Sequence, residues 1–339
     1  MMKGGITMRA AYFEKQGAAA DVLKVKPLPV PVPGPGEVLV RILVSGVNPS
    51  DIKSRTGFSG PMLFDRIIPH QDGAGIIDAV GEGIDEVRIG ESVWLYEAQY
   101  GRATGTAAGY VAIPANQAVR LPENVSFEIG ASLGIAAMTA HYCLFADGDI
   151  TGRRVLIQGG AGAVGEAAIQ LAKWAGAWVV STIRNPQDEV NVRSKGADLI
   201  IDMSSQNTVE TIKKATDGEG VDRIIEVDLS ANLNIDLASI AKGGVISTYS
   251  AKNTNESLAL SILNSMKANI AFRFVYVYTM PEGAKRKAID DITNCIGEGK
   301  YNPTIGLIVP LDKIWEAHEA VEFHKVKGKV LVRNSNDGS

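Results

Sequence analysis

Cysteine is nearly absent: Cys143 and Cys295 are the only two in 339 residues. Two cysteines cannot build a disulfide framework or a cysteine-rich zinc site, so a reducing compartment is expected. No charge excess exists either. Against 38 Asp and Glu stand 34 Lys and Arg, a net charge of −4, which leaves no electrostatic footprint for nucleic acid. Charged residues make up 21% and hydrophobic residues 45%, values that exclude a disordered chain and a polytopic membrane protein. Long apolar runs are scarce. One stretch, residues 129–146, has no Asp, Glu, Lys or Arg and reaches the length of a spanning helix. It carries Gly130, Ser132, Gly134, Thr139 and His141 and is closed by Glu128 and Asp147, so a buried helix of a soluble protein is expected, with no membrane partner. Met1 to Ala10 has no apolar core and no cleavage pattern, so no secretory signal is expected, and Met8 is an alternative start.

Glycine is abundant, at 36 residues, without a collagen period or a low-complexity block. The length predicts two domains, at about 100–200 residues each. The first third alternates short apolar runs with Pro and Gly. Val38–Val44, Ile76–Val80, Val93–Tyr96 and Gly109–Ile113 read as strands, and residues 25–36, with five prolines, cannot be helix. After a helix over 127–145 a different rhythm begins. Strands are expected at 155–158, 178–183, 199–201, 223–227 and 244–248, with helices at 165–176, 186–195, 208–215 and 233–241 between them. Strands joined by crossover helices make a parallel sheet with helices on both faces, a doubly wound nucleotide-binding fold. The tail reads as strand over 270–278, helix over 282–298 and 311–323, and a last strand over 329–333.

The first of these crossovers carries Gly160, Gly162 and Gly165 as G-x-G-x-x-G between strand and helix. That context is the one in which the motif signals a dinucleotide. The first glycine is expected to turn the chain, Gly162 to let the backbone approach a pyrophosphate at the helix N-terminus, and Gly165 to permit close packing. Backbone amides of Ala163 and Val164 belong to the same cradle. No G-x-x-x-x-G-K-[ST] exists, which argues against nucleoside triphosphatase chemistry. Gln158 stands where methyl-donor-binding domains carry an acid, and no Tyr is followed four residues later by Lys.

The motifs Gly46-Val-Asn-Pro-Ser-Asp51, Pro69-His-Gln-Asp-Gly-Ala-Gly75, Gly105-Thr-Ala-Ala-Gly-Tyr-Val111, Gly134–Ala140, the glycine loop, Lys195-Gly-Ala-Asp198 and Gly328-Lys-Val-Leu331 resemble the zinc-independent quinone oxidoreductase, or zeta-crystallin, branch of the medium-chain dehydrogenase/reductase superfamily. The resemblance runs from about Met8 to Arg333. It implies an α/β enzyme with a GroES-like β-rich substrate domain, residues 1–136 and 278–339, and an inserted Rossmann cofactor domain, residues 137–277. It further implies NADPH as cofactor, a small quinone or enone acceptor, and a cytoplasmic homodimer or homotetramer. Zinc members of the superfamily place Cys where this chain has Asn48 and His where it has Gln71, so no metal is expected. A 2-alkenal or enone reductase on the same scaffold is the alternative within enzymes. A non-catalytic NADPH-binding crystallin-like or RNA-binding protein is the alternative outside them, disfavoured by the acidic charge.

Without a metal, reduction of a quinone is easier than oxidation of an alcohol, because hydride transfer yields a delocalised anion that positioning and electrostatics can stabilise. By the resemblance Asn48 replaces the metal ligand and faces the nicotinamide ribose or the acceptor. Lys53, Tyr96 and Tyr100 are further expected to orient the acceptor. Thr139, Tyr249, Ser250, Phe274, Tyr276 and Lys329 complete the expected cofactor contacts. For the adenosine end, a NAD-specific domain needs an acid about 20 residues past the glycines, and Ile183 occupies that place. Arg184, with the hydroxyls of Ser181 and Thr182, is expected to receive a 2′-phosphate, which predicts NADPH over NADH.

Overall fold

The computed structural model describes residues 6–334. The chain divides into two units, Met1–Ile135 with Pro303–Ser339, and Ala136–Asn302. Strands of the first unit are β1 (Thr7–Tyr12), β2 (Lys24–Pro29), β3 (Glu37–Val47), β4 (Asp72–Val80), β5 (Ser92–Leu95), β6 (Tyr110–Pro114) and β7 (Ala118–Arg120). The second unit holds β8 (Arg154–Ile157), β9 (Trp178–Ile183), β10 (Leu199–Asp202), β11 (Val221–Glu226), β12 (Ile240–Thr248) and β13 (Ala271–Phe274). The chain then returns to the first unit with β14 (Ile305–Pro310) and β15 (Lys329–Arg333).

In the first unit β14-β15-β3-β4-β5-β7 form one sheet, with β6 also paired to β3, and β1 pairs β2 apart from it. Val38, Val40 and Ile42 alternate along β3 and pack on Ile77, Val93, Leu95, Val111 and Ile113, all buried. That period of two is what the apolar runs of the sequence announced. The proline-rich stretch begins in β2, where Pro27 and Pro29 face Arg9 and Thr7 of β1 in a two-stranded ribbon. Such a marginal position tolerates residues that donate no ladder hydrogen bond.

The second unit is a single sheet ordered β10-β9-β8-β11-β12-β13, and every pairing in it is parallel. Its first strand in the chain, β8, lies in the middle, so the strand order reverses between β8 and β11. Ligands of such sheets bind beyond the carboxyl ends at that reversal. Leu156, Val180, Ile201, Ile212, Val221, Ile224 and Ile246 form one core cluster, and the alternating Val155, Ile157, Val179 and Ile225 are buried too, so both faces are covered as a parallel sheet requires.

Four expectations are corrected. The Rossmann unit extends past residue 277 to Asn302, because the helix Glu282–Gly297 buries Ala288, Ile292, Cys295 and Ile296, and Asp291 meets His141 at 2.7 Å within the same unit. The helix expected over 127–145 is two helices, Phe127–Gly130 and Gly134–Phe145; the Ser132 hydroxyl donates to the Glu128 carbonyl at the break. The helix expected to reach Ala241 stops at Ser239, and Ile240 and Ala241 open β12. The strand expected over 270–278 ends at Phe274 and a 3₁₀ turn, Val277–Thr279, follows. Among the described residues no helix is long and apolar enough to cross a membrane.

Candidate active site

In the first unit a helix starts after Asn48, at Pro49, whose missing N–H costs nothing in the first turn. Asp51 in that turn accepts the Asn48 N–H at 2.7 Å. The Asn48 side chain is spent elsewhere. Its Nδ2 donates to Asp72 Oδ2 at 2.8 Å, and its Oδ1 accepts from Lys329 Nζ at 2.8 Å. Lys329 also reaches Asp72 Oδ2, at 3.0 Å. All three side chains are buried. Asp72 Oδ1 in turn accepts the Ile135 N–H at 2.9 Å, seating the start of the helix Gly134–Phe145. Gly134 is required there, since a Cβ would lie 2.1 Å from that oxygen. Burial pushes the Asp51 carboxyl up to about 8, against the Asn48 N–H that lowers it.

Behind Asp72 runs a second buried chain. Arg55 Nε donates to His318 Nδ1, His318 Nε2 meets His70 Nε2 at 2.9 Å, His70 Nδ1 meets Ser45 Oγ at 2.7 Å, and Ser45 meets Thr106 at 2.7 Å. Thr106 donates to the Asp72 carbonyl. An arginine can only donate and a carbonyl can only accept, so every proton between them has one direction. His318 carries its proton on Nε2 and His70 on Nδ1, both neutral. Burial agrees, lowering His70 to about 3 and His318 in the same direction. His70 thus props the strand that presents Asp72.

Three expected residues have contacts or exposure of their own outside this cluster. The Tyr96 hydroxyl donates to the Asn116 carbonyl at 3.2 Å and its ring lies 5.9 Å from Trp94. Tyr96 is 3% exposed, a packing residue with its polar tip already satisfied. Lys53 is half-buried, its Nζ 4.7 Å from the Phe58 ring centre, and Tyr100 lies on the surface. Asn48 and Lys329 are brought together, and Asp72, unassigned from the sequence, joins them.

In the second unit the glycine loop follows β8. The left-handed turn falls at Gly159, φ +74°, and not at Gly160. Gly160 is required for a different reason, because a Cβ there would lie 1.9 Å from Ser181 Oγ. Gly162 has only the Gly159 carbonyl oxygen near, 3.5 Å from where its Cβ would be, and it precedes the helix Ala163–Trp174. First-turn amides of Ala163, Val164 and Gly165 have no carbonyl inside the helix to meet, which makes this end an anion seat. Ser181 and Thr182 do not reach outward to a phosphate. Both are buried; Thr182 Oγ1 accepts the Gly159 N–H at 3.1 Å and donates to Gln158 Oε1 at 2.7 Å, bracing the loop from below.

Arg184 is exposed, and its guanidinium stands 3.7 Å from Asp228. Lys252 meets the same carboxylate at 2.9 Å. Desolvation raises Asp228, and the hydrogen bonds of Lys252 and the Ala231 N–H outweigh it, holding the group below the usual carboxylate range. Lys252, which no motif marked, therefore stands with Arg184 about one acid. Thr139 is buried, Tyr249 is half-buried and Ser250 exposed, while Phe274 and Tyr276 stand on the surface of this unit.

Residues 34–123 match the alcohol dehydrogenase GroES-like domain family, and residues 163–294 match the zinc-binding dehydrogenase family. The chain belongs to the medium-chain dehydrogenase/reductase superfamily. It is an oxidoreductase of that superfamily, similar to the quinone oxidoreductase of Homo sapiens, 28% identical over 325 residues that cover 95% of this chain and 96% of that one. Among solved structures, an NAD-dependent alcohol dehydrogenase superposes with a TM-score of 0.88 at 27% identity, covering 97% of this chain and all, 100%, of the other. A mycobacterial protein complexed with NADPH superposes with a TM-score of 0.82 at 24% identity, covering 96% of this chain and 100% of that one.

Zinc, named in one of the matching families, does not fit the residues at this dehydrogenase's counterpart site. Asn48 and Gln71 offer neutral amides in place of a thiolate and an imidazole, and the Lys329 ammonium already holds Asp72. Among the described residues no group of three or more His, Cys, Asp or Glu could hold a metal ion. A nicotinamide dinucleotide fits better, since its pyrophosphate would meet the open face at Gly162 and the amides of Ala163 to Gly165.

Proposed function

We propose that this dehydrogenase/reductase reduces quinones with NADPH and without a metal. The observation that carries the reading is the Asn48–Lys329–Asp72 cluster, a fixed cation in place of a metal site. The bound dinucleotide supplies the hydride. The Lys329 ammonium spends two of its three donors on Asn48 and Asp72, and the third serves an acceptor oxygen as negative charge grows on it. Asp51, kept largely protonated by burial, leaves that cation unopposed by a second carboxylate. The test is a steady-state panel of 1,2-naphthoquinone, 9,10-phenanthrenequinone, crotonaldehyde and hexenal with NADPH and with NADH. Quinones are expected to turn over with the highest kcat/KM; faster turnover of the enals would replace this reading by an enone reductase.

NADPH is chosen over NADH on Arg184 and Lys252, two cations at the carboxyl end of β9 and beyond β12 with no acid at Ile183. We expect a preference of about tenfold in kcat/KM, worth about 1.4 kcal/mol. Arg184→Ala should raise KM for NADPH about tenfold and leave NADH kinetics within about twofold. Equal use of both cofactors by the unmodified enzyme would end the claim. A homo-oligomer is supported by β13 at the sheet edge beside Ile262, Leu263, Met266 and Phe274, all exposed; sedimentation equilibrium reads it directly. Two free, buried thiols, each pushed up by burial, support a reducing cytoplasm.

A further inference from the structure

Beneath the glycine loop lie two acids that the hydride chemistry does not use. Glu226 ends β11, and Asp236 lies in the helix Leu229–Ser239. Neither is exposed at all, and the two carboxyls face each other within hydrogen-bonding reach. The oxygens left without any other partner are Glu226 Oε2 and Asp236 Oδ2. Carboxylate oxygens only accept, so a bond between them requires a proton.

The remaining oxygens are fixed in one direction. Glu226 Oε1 accepts from Asn232 Nδ2 at 3.0 Å and from the Asp228 N–H. Asp236 Oδ1 accepts from Gln158 Nε2 at 2.9 Å. Gln158 Oε1 then accepts from Thr182, and Thr182 accepts from the Gly159 N–H with its hydroxyl and from the Gly160 N–H, at 3.0 Å, with its carbonyl. An unbroken chain of hydrogen bonds thus joins the carboxyl pair to the first two residues of the loop.

We propose that Glu226 and Asp236 share one proton, and that this proton positions the glycine loop for the dinucleotide. The inference rests on the reading that the loop holds a dinucleotide. Titratable groups facing the pair are Asp228, on the loop after β11, and the Tyr249 phenol, after β12. Both are acidic, so neither favours a second negative charge, and Lys252 and Arg184 are turned to Asp228. Burial first, and then Glu226, push Asp236 up, and burial pushes Glu226 up. The folded affinity for the proton exceeds the unfolded one. The proton is therefore held at neutral pH and lost to buffer base as pH rises through the alkaline range. Its loss leaves two carboxylates in contact; they part, Gln158 and Thr182 follow, and the loop shifts.

Infrared spectroscopy of the protein without cofactor should show protonated carboxyl stretches at about pH 7, of which that of the pair is missing in Asp236→Asn while that of Asp51 remains. Asparagine keeps a donor facing Glu226 at every pH, and Glu226→Gln supplies one from the other side if the first variant fails to fold. Calorimetric Kd values for NADPH and NADH should weaken about fivefold or more between about pH 7 and about pH 10 in the unmodified protein, and stay within about twofold in either variant. Amide hydrogen exchange at Gly159 and Gly160 should follow the same contrast. Absence of a carboxyl stretch that depends on Asp236, or the same alkaline weakening with and without the variant, overturns the proposal. A protein that binds neither dinucleotide overturns the functional reading instead, while the infrared band and the amide contrast still decide the shared proton.

Discussion

Replacing Lys329 by methionine is expected to lower the unfolding free energy by about 3–5 kcal/mol, the cost of leaving a buried charge without its partner. Asp72 is fully buried and Lys329 is 3% exposed, so water cannot take over from the ammonium. Methionine preserves the volume of the aliphatic stem, which separates the loss of charge from the opening of a cavity. Denaturant unfolding reads the effect. The double variant Lys329→Met with Asp72→Asn should recover more than half of the loss, because no carboxylate is then stranded. Activity should not recover with it. Asn48 loses the cation that fixes its Oδ1, and kcat/KM for a good quinone should remain at least about 100-fold down in both variants. A Lys329→Met protein as stable as the parent would show that Asp72 is neutral in the fold and would remove the fixed cation from the mechanism.

The parts of this molecule that were legible in the sequence are those decided by neighbours along the chain. Apolar runs such as Val155–Ile157 and Trp178–Ile183 announced the parallel sheet, and the glycines between strand and helix announced the loop. Boundaries set by tertiary packing were not legible. Ile240 and Ala241 continue the apolar run of the preceding helix, and the pairing of Ile240 with Val221 in β11 is what opens the strand there. The helix Glu282–Gly297 has no local mark of the unit it joins; its apolar face tells where it goes only when the partner surface exists. The site divides in the same way. Asn48 and Lys329 are 281 residues apart, and no spacing rule connects them or adds Asp72. Ser181 and Thr182 stand next to Arg184 in the chain, which places their hydroxyls near the expected 2′-phosphate. Here the glycine at 160 lets the loop settle onto them, so their hydroxyls serve the loop itself.

Gly162→Val and Gly165→Ala should fail in opposite ways, and the contrast tests what the loop is for. At Gly165 a Cβ would lie 2.3 Å from the Gly159 carbonyl oxygen and 2.8 Å from Gly160 Cα. Both are backbone atoms that cannot swing aside, so Gly165→Ala should destabilise the fold by about 1–3 kcal/mol. At Gly162 the only neighbour is the Gly159 oxygen at 3.5 Å, an ordinary contact. Its φ of −82° and ψ of 160° suit any residue. Valine is a poorer residue to precede a helix, which costs about 1 kcal/mol at most. The fold should therefore survive, with a far-ultraviolet spectrum like the parent's. Binding should not. The two added methyls occupy the space in which a pyrophosphate must approach the amides of Ala163 to Gly165. An anion held about 1.5–2 Å farther from those donors loses the hydrogen bonds outright. We expect Kd for NADPH to rise at least about 100-fold, equivalent to about 2.7 kcal/mol. Undiminished NADPH affinity in a folded Gly162→Val protein would mean that the pyrophosphate lies elsewhere, and the helix N-terminus would lose its role.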